Sequence, residues 1–367
     1  MRAIRFDRTA SRGVFSVHTQ CRKAALATAL ALALCGWDLS AATLYVDGSA
    51  TGANNGSSWA DAYTDLEAAL AAALAGDEIW VAAGTYTSAA GRDSTFQLTA
   101  SVGVYGGFTS GGAGEPNKAL RPATGNETIL SGDIGTIGDA GDNCYHVVTA
   151  ASNATIERFT IRDGRADIAW DYWRSCGAGL QCSGQDNFTV ENCLFTANWT
   201  YWHGAGLYCD SSSMTLTNSR FENNIQSNWG GYYGGGAFIT GGKSGVYPSI
   251  AQCIFQNNAA WGGGGLYLSD ATVPVSKCVF SGNTALGQHG GGVHNGGATA
   301  TYSNCVFSAN SSTSGVGGGM YTIGAAKIVN GSFVGNSAGG NGGAIYGDST
   351  PIVKNCILWD NSAPNGN

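Results

Sequence analysis

The chain has 367 residues, with 25 acidic and 18 basic side chains and a net charge of −7, and it contains 57 glycines but only 6 prolines. The acidic balance argues against a nucleic-acid partner. Glycine in this excess, without a Gly-x-y period, favours many tight turns between strands and excludes a collagen-like chain.

The first 42 residues have the composition of a secretory signal. An arginine-rich stretch up to Lys23 precedes the apolar run 24–34, which is too short to span a membrane, and the small residues 40–42 suit signal peptidase. We predict cleavage before Thr43 and Sec-type export to the cell outer membrane surface or the extracellular space. Cleavage would leave 12 basic and 23 acidic residues, so the mature chain is more acidic than the precursor.

A short amphipathic helix is predicted near the amino end of the mature chain. The stretch 64–67 is a capping box, and Gly76 is placed to end the helix. The apolar face carries Leu66, Leu70 and Leu74. We predict that residues 78–82 form the first strand of the first coil, and that the helix caps the open end against fibre-like growth.

A repeated Phe-x-x-Asn motif follows, each copy succeeded by a glycine step and a hydrophobic residue. The aromatic positions are 26, 34, 25, 27, 26 and 25 residues apart, which includes a degenerate last copy at Leu358 and Asn361. The aromatic residues are Phe195, Phe221, Phe255, Phe280, Phe307 and Phe333, and the amides are Asn198, Asn224, Asn258, Asn283, Asn310 and Asn336. A fixed period of this length is typical of a solenoid, in which each repeat is one coil.

Two further columns define the coil. Cysteine stands two residues before the aromatic position and shares its face of the strand, pointing inward. These cysteines are Cys193, Cys253, Cys278, Cys305 and Cys356. The residue directly before each position of the cysteine column is usually Asn. It is predicted to form a corner, because Asn tolerates the left-handed conformation. These residues are Asn192, Asn218, Asn304 and Asn355, with Gln252 and Lys277 in two coils.

These columns predict an all-β fold, a single-stranded right-handed parallel β-helix. Each coil should have three short strands and three bends, with Phe stacked on Phe and Asn side chains hydrogen-bonded between coils. We predict one domain, with a cap and first coil at 43–86, irregular early coils at 87–191 and regular coils at 192–367. Because the chain stops six residues after Asn361, we expect a truncated carboxyl end, so that any membrane attachment would use a missing C-terminal anchor.

The Phe-x-x-Asn and glycine-step pair, preceded by Asn-Cys-x-Phe, resembles the repeats of the chlamydial polymorphic outer membrane proteins. The opening 44–47, Trp59 and the stretch 76–86 are similar to the start of many exported β-helix proteins of the pectate-lyase-like superfamily. The resemblance covers essentially the whole mature chain. It implies a secreted or surface-exposed protein, with an adhesin-like role as in some members.

The aromatic residues between the repeat Asn and the glycine step are the predicted ligand-binding residues. If the coils stack, they form a strip along one side of the helix that suits a glycan or a surface protein. The alternative is that the loops fold back and bury the rings against the wall. The residues are Trp170, Trp173, Trp199, Tyr201, Trp202, Trp229, Tyr232, Tyr233 and Trp261, with Trp202, Tyr232 and Trp261 in one column.

A charged group in the same region supports a competing hypothesis, a polysaccharide lyase or glycosidase. Such enzymes need neighbouring carboxylates or a basic residue beside acids. The candidates are Arg162, Asp163, Arg165, Asp167, Asp171 and Arg174. Mixed charges in one loop also form ordinary salt-bridged surface, so we favour a non-catalytic scaffold.

The cysteines are interpreted mainly as small buried hydrophobic residues. Cys182 and Cys209 are the candidates for a disulfide, since each lies three residues after its glycine step in consecutive coils. No Cys-x-x-Cys motif occurs and the five histidines are scattered, so we expect neither a zinc site nor a cofactor.

Overall fold

The computed structural model describes residues 41–88, 91–112, 117–122, 124–227, 231–243, 245–269, 272–297 and 299–366. Residues 1–40 of the predicted signal and the candidate Trp229 lie outside these ranges. Residues Ala42–Asn367 form one compact unit. In its described part, the strands stack into four parallel sheets.

Sheets A and B are the two longest. Sheet A contains, in order, β1 (Thr43–Val46), β2 (Glu78–Ala82), β5 (Gly103–Phe108), β8 (Thr155–Glu157), β12 (Phe188–Glu191), β16 (Met214–Thr217), β20 (Ser249–Ala251), β24 (Pro274–Ser276), β28 (Thr301–Ser303), β32 (Lys327–Val329) and β36 (Ile352–Lys354). Sheet B contains β3 (Gly84–Thr87), β6 (Thr128–Ser131), β9 (Thr160–Arg162), β13 (Leu194–Thr196), β17 (Arg220–Glu222), β21 (Ile254–Gln256), β25 (Val279–Ser281), β29 (Val306–Ser308), β33 (Ser332–Val334) and β37 (Ile357–Trp359).

Sheets C and D complete the wall. Sheet C contains β4 (Phe96–Gln97), β7 (Val148–Thr149), β11 (Leu180–Ser183), β15 (Leu207–Asp210), β19 (Ala237–Ile239), β23 (Leu266–Ser269), β27 (Val293–Gly296), β31 (Met320–Thr322) and β35 (Ile345–Gly347). Sheet D contains the two-residue strands β10 (Arg165–Ala166), β14 (Trp199–Thr200), β18 (Ile225–Gln226), β22 (Ala259–Ala260), β26 (Thr284–Ala285), β30 (Ser311–Ser312) and β34 (Ser337–Ala338). Short 3-10 turns cover Ser110–Gly112, Lys118–Leu120 and Trp173–Ser175.

The chain runs through the sheets in the order A, B, D, C, so that one circuit makes one coil. For example, β12, β13, β14 and β15 are consecutive, and β16 then pairs in parallel with β12. The all-β parallel β-helix fold is therefore confirmed. The prediction of three strands per coil is wrong for the regular coils, because the stretch after the repeat Asn forms a fourth, two-residue strand in sheet D.

Left-handed residues bend the regular coils at two corners. Asn192 (φ 53°) and Lys277 (φ 54°) lie at the corner between sheets A and B, and the other predicted corner residues have similar positive φ angles. A second corner, which was not predicted, lies between sheets B and D, where Ala197 has φ 55° and Ala309 has φ 53°. The other coils place Asn, Gly or Asp there, which tolerate this backbone conformation better than alanine.

The repeat asparagines form a buried ladder at the second corner. From Asn198 to Asn361, each side-chain Nδ2 donates to the Oδ1 of the next asparagine at 2.9–3.0 Å. Each Nδ2 also donates to a backbone carbonyl, as Asn283 does to Phe255 at 2.8 Å. Because the ladder amides have partners on both sides, their burial carries little desolvation penalty.

The repeat phenylalanines stack inside the helix, as predicted. Centroids of neighbouring rings are 4.3–5.0 Å apart from Phe195 to Phe333. All six rings are fully buried, and four of the five column cysteines are buried beside them. Burying one such ring stabilises the fold by about 1.5–3 kcal/mol, so the stack is a main source of cohesion between coils.

The predicted cap helix is present but shorter than expected. Helix α1 (Leu66–Ala72) begins after Asp65, whose carboxylate accepts the N–H of Glu67 at 2.9 Å. Its buried residues join the main core. Leu74 lies beyond the helix and is 69 % exposed, so its placement on the apolar face was wrong. The reason is Asp77, whose carboxylate accepts the N–H of Leu74 at 2.8 Å and fixes an early turn.

The strand at Glu78–Ala82 has its predicted bounds but is not the first in its sheet. Thr43–Val46 pairs with it in parallel and precedes it in the chain. The opening stretch therefore supplies a strand of sheet A that was not predicted. In the described residues, no helix is both long and apolar enough to cross a membrane.

Candidate functional site

The predicted aromatic residues lie mainly in the loops that lead from sheet D to sheet C, here called the D–C loops. In successive coils the described parts of these loops are residues 167–179, 201–206, 231–236 and 261–265. The glycine step is needed where each loop rejoins the wall. Gly204 has φ 63°, and a Cβ at Gly206 would lie 2.5 Å from the carbonyl oxygen of Gly236 in the next coil.

An aromatic ladder on the outer face of sheet C underlies these loops and was missed by the sequence analysis. It takes one residue from each of six coils, in register: Tyr208, Phe238, Tyr267, His294, Tyr321 and Tyr346. Neighbouring rings are 4.7–6.2 Å apart. The sequence signal was an aromatic residue directly after the hydrophobic residue of the glycine step.

Most of the predicted loop rings pack against this ladder or against one another. Trp202 stacks on Tyr232 at 5.1 Å and meets Tyr172 edge-on at 4.8 Å. Tyr233 stacks on Tyr267 at 4.4 Å, and its hydroxyl donates to Gln288 at 2.8 Å. These rings are half-buried and use their faces for intramolecular contacts, so the loops fold back onto the wall in this part.

Trp202, Tyr232 and Trp261 do not form one uniform column of stacked rings. Only the first two stack, whereas Trp261 lies against the next coil, where a Cβ on Gly287 would be 2.3 Å from its ring. Tyr201 is tilted against Tyr232 at 5.9 Å. The predicted strip is therefore interrupted between Tyr232 and Trp261.

His203 and His289 contact rings of the aromatic ladder, and His294 belongs to it. Burial lowers the pKa of His203 to about 4 and that of His294 to about 3. His203 Nδ1 accepts the N–H of Tyr233 at 3.1 Å, which links two consecutive loops. The side chains of His203 and His294 are therefore neutral at physiological pH and serve as packing elements.

Trp170 and Trp173 differ from the other predicted rings because they are exposed. Trp170 is 88 % exposed and Trp173 is 55 % exposed, at the tip of the loop 167–179. The 3-10 turn Trp173–Ser175 is held by Asp171, whose carboxylate accepts the N–H of Trp173 at 3.1 Å. The loop carbonyl of Trp173 also accepts a hydrogen bond from Gln181 at 2.9 Å, so the exposed rings stand on an anchored turn.

The six charged candidates are all in ion pairs. Arg174 contacts Asp93 at 2.6 Å and Asp171 at 3.1 Å. Asp167 contacts Arg92 at 2.7 Å and Arg165 at 3.2 Å. Residues 92 and 93, which the sequence analysis did not single out, thus hold the loop to an earlier coil.

Arg162 and Asp163 lie apart from the D–C loop, at the end of strand β9 and at the following corner. They pair with each other at 3.1 Å. Partial burial raises the pKa of Asp163, with the nearby Arg162 acting in the opposite direction. Arg165 sits over the ring of Trp199 at 4.7 Å, so one face of that predicted ring is occupied by a cation.

Cys182 and Cys209 are direct neighbours in strands β11 and β15. Both side chains are buried, and the structure carries them as free thiols. The thiol of Cys182 is hydrogen-bonded to that of Cys209, which lowers the pKa of Cys182 and raises that of Cys209. The predicted disulfide therefore has adjacent partners and stays a prediction. In the described chain, no three His, Cys, Asp or Glu residues lie close enough to hold a metal ion.

Two family profiles match the chain. The profile described as a right-handed β-helix region matches residues 136–280, and the Chlamydia polymorphic membrane protein repeat matches residues 330–348. No curated protein sequence matches significantly. The first match agrees with the parallel β-helix fold of the structure, and the predicted resemblance to polymorphic membrane protein repeats is confirmed for residues 330–348.

Solved structures provide distant likenesses. Pectate lyase Pel9A is 14 % identical with a TM-score of 0.46, covering 89 % of this chain and 78 % of its own. A rhamnogalacturonan lyase is 12 % identical with a TM-score of 0.37, covering 82 % and 74 %. Rice weevil pectin methyl esterase is 11 % identical with a TM-score of 0.32, covering 90 % and 93 %.

Proposed function

We propose that this protein is a non-catalytic, exported scaffold that binds a glycan or a surface protein through its D–C loops. The observation that carries the proposal is the exposure of Trp170 (88 %) and Trp173 (55 %) at one loop tip. Large exposed aromatic rings beside polar residues are typical of binding surfaces, and Trp and Arg are enriched among the residues that dominate binding energy.

A glycan fits this surface best. An exposed indole offers a flat apolar face to a sugar ring, and the charged side chains beside it offer hydrogen-bond donors and acceptors to hydroxyl groups. Those side chains are Arg174, Asp171 and Asp93, joined in one ion-paired group. Because the paired charges hold each other in place, little ordering is needed on binding. A protein partner is the alternative occupant.

The proposed location is the cell outer membrane surface or the extracellular space. It is supported by the signal-like composition of residues 1–42 and by the match to a polymorphic membrane protein repeat. Expression of the full chain in a bacterium should yield an exported product that begins at Thr43, measured by mass spectrometry. A product that keeps residues 1–42 inside the cell would contradict this part of the proposal.

The binding proposal is tested by screening the exported protein against a glycan array and measuring affinities by calorimetry. The double variant Trp170→Ala/Trp173→Ala should weaken binding by on the order of thirtyfold, as expected when residues that dominate an interface are lost. Trp359→Ala is the matched control, since Trp359 is 72 % exposed but lies in strand β37 of the last described coil. Equal losses in both variants would contradict the proposal.

The alternative function is a carbohydrate-active enzyme that uses the charged group 162–174. The ion pairs at Arg165, Asp167 and Arg174 favour a structural role for this group. The bound glycan is therefore expected to be recovered intact after long incubation. If the parent protein produces new reducing or unsaturated ends in the glycan, and Asp167→Ala or Arg165→Ala does not, the protein is an enzyme and the scaffold proposal is wrong.

A further inference from the structure

Sheet B has an edge strand at the amino-terminal end of the β-helix. Its first strand in the described chain is β3, which pairs with β6 on one side. Sheet A is one strand longer at this end, because β1 pairs with β2 and precedes it. Helix α1 packs against β1, β2 and β4. In the described chain, the coil that begins with β1 therefore contributes no strand to sheet B.

The chain turns away from sheet B directly after β1. Asp47 is only 3 % exposed, and its carboxylate accepts the N–H of Ser49 at 2.9 Å. The same carboxylate also accepts the hydroxyl of Ser110 and the N–H of Gly111, each at 2.8 Å. These hydrogen bonds fix the turn. A groove of about 720 Å³, a volume typical of binding sites, lies between the turn and β3.

The backbone of β3 supplies hydrogen-bonding groups to this groove. Gly84 donates its N–H to the carbonyl of Glu127 in the next coil at 3.0 Å. Because the N–H and C=O groups of successive strand residues point to opposite sides of the strand, those of Thr85 and Thr87 point into the groove. Both residues are exposed and line the groove. An exposed strand edge of this kind is a template for pairing with another extended chain.

The groove carries negative charge. The charged side chains among its lining residues are Asp47 and Asp65. In the described chain, no salt bridge involves either carboxylate. Asp65 is exposed and accepts the N–H of Glu67 at the start of α1, and Asp47 is held by the neutral groups of the turn. Because no cation of the described chain pairs with these two charges, the groove favours a basic ligand over an acidic one.

We propose that this groove binds an extended peptide segment rich in Lys or Arg, which adds to β3 as a further strand of sheet B. The four residues of β3 offer an edge of about 13 Å, at about 3.3 Å per residue, which suits a segment of about four to six residues. Main-chain hydrogen bonds to Thr85 and Thr87 supply the affinity, and basic side chains at alternate positions select against acidic peptides. A glycan fits less well, because it does not present N–H and C=O groups in alternation.

The test uses the exported protein and the hexapeptide Lys-Val-Lys-Val-Lys-Val, with binding measured by fluorescence anisotropy. Hydrogen–deuterium exchange locates the bound peptide, because the amides of residues 84–87 should exchange more slowly in the complex. The same peptide N-methylated at every residue keeps its side chains but loses its N–H groups, so it should bind at least about tenfold more weakly. The acidic peptide Glu-Val-Glu-Val-Glu-Val should also bind more weakly than the basic one.

Asp65→Asn removes one charge and keeps a residue that caps the helix, so the variant should fold as the parent protein does. Its affinity for the basic peptide should fall about two- to fivefold, as expected for one exposed charge. Asp360→Asn is the matched control, because Asp360 is exposed and follows β37 at the opposite end of sheet B. This control and Trp170→Ala/Trp173→Ala should leave the affinity unchanged, which separates the groove from the D–C loop surface.

Three results would overturn the proposal: equal losses in Asp65→Asn and Asp360→Asn, equal binding of the N-methylated peptide, or slower exchange confined to residues outside 84–87. Self-association of the protein that slows exchange at residues 84–87, without binding of the peptide, would identify a second copy of the chain as the occupant and would also overturn it.

Discussion

The buried asparagine ladder should contribute more to stability inside the helix than at its last coil. In Asn283→Ala, the N–H and the Nδ2 of Asn258 lose the oxygen that accepts both of them at 3.0 Å. The carbonyl of Phe255 also loses its bond from Asn283 Nδ2 at 2.8 Å. Water cannot replace these partners readily, because Asn258 and Asn283 are fully buried.

The magnitude follows from the number of buried donors left without a partner. Each costs about 1–3 kcal/mol, so two donors predict a loss of about 2–6 kcal/mol in the free energy of unfolding. In Asn361→Ala the same kinds of bonds are lost, at 2.9 and 3.0 Å to Asn336, but Asn361 is only half-buried. Water can take over there, and the expected loss is about 1 kcal/mol.

Urea unfolding followed by circular dichroism measures both variants against the parent protein. A larger loss for Asn283→Ala than for Asn361→Ala is expected, with an unchanged dependence on urea concentration. Losses of the same size in both variants, or a loss below about 1 kcal/mol for Asn283→Ala, would refute the argument that the ladder stabilises the fold through its buried, hydrogen-bonded amides.

Three further predictions address packing, pH and the thiols. Phe255→Ala should lower the free energy of unfolding by about 3–5 kcal/mol, measured in urea, because it leaves a cavity between two stacked rings; a loss below about 1 kcal/mol would mean that the coils close the gap. The free energy of unfolding should fall as pH drops from about 6.5 towards 4. Burial lowers the pKa of His203 from 6.5 to about 4, so the unfolded chain binds the proton first. This pH dependence should be smaller in His203→Gln, and an unchanged dependence in that variant would contradict the assignment. Protein exported into an oxidising compartment should contain a Cys182–Cys209 bridge, detected by peptide mass mapping without reduction, whereas both thiols alkylated in the unfolded protein would show that they stay reduced.

The regular coils could be predicted because every repeat position has one physical task. Phe packs inward at one position, and Asn lies at a corner three residues later. Only a few residue types meet each of these requirements. The corner at Asn192 was predicted for the same reason. The second corner was not, because Ala197 and Ala309 adopt a conformation that alanine seldom prefers. Their backbone is imposed by the coils stacked on either side.

The candidate site was only partly predictable. The sequence places nine aromatic residues in one loop family, but it does not say which faces are exposed. Trp170 and Trp202 have the same chemistry, yet Trp170 is 88 % exposed whereas Trp202 stacks on Tyr232. The ion pairs from Arg92 and Asp93 join residues more than seventy positions apart. Such long-range partners have no local signal.

The sequence by itself determined the coil: its period, its inward Phe and Cys columns, its Asn ladder and its glycine steps. These features repeat, and each depends on contacts with an identical position in the next coil. The tertiary structure alone decided what varies between coils, namely which aromatic rings of the loops are exposed, as Trp170 is, and which stack on a neighbour, as Trp202 does. These depend on where loops of unequal length fold back onto the wall, and loop packing is set by neighbours that are distant in the chain.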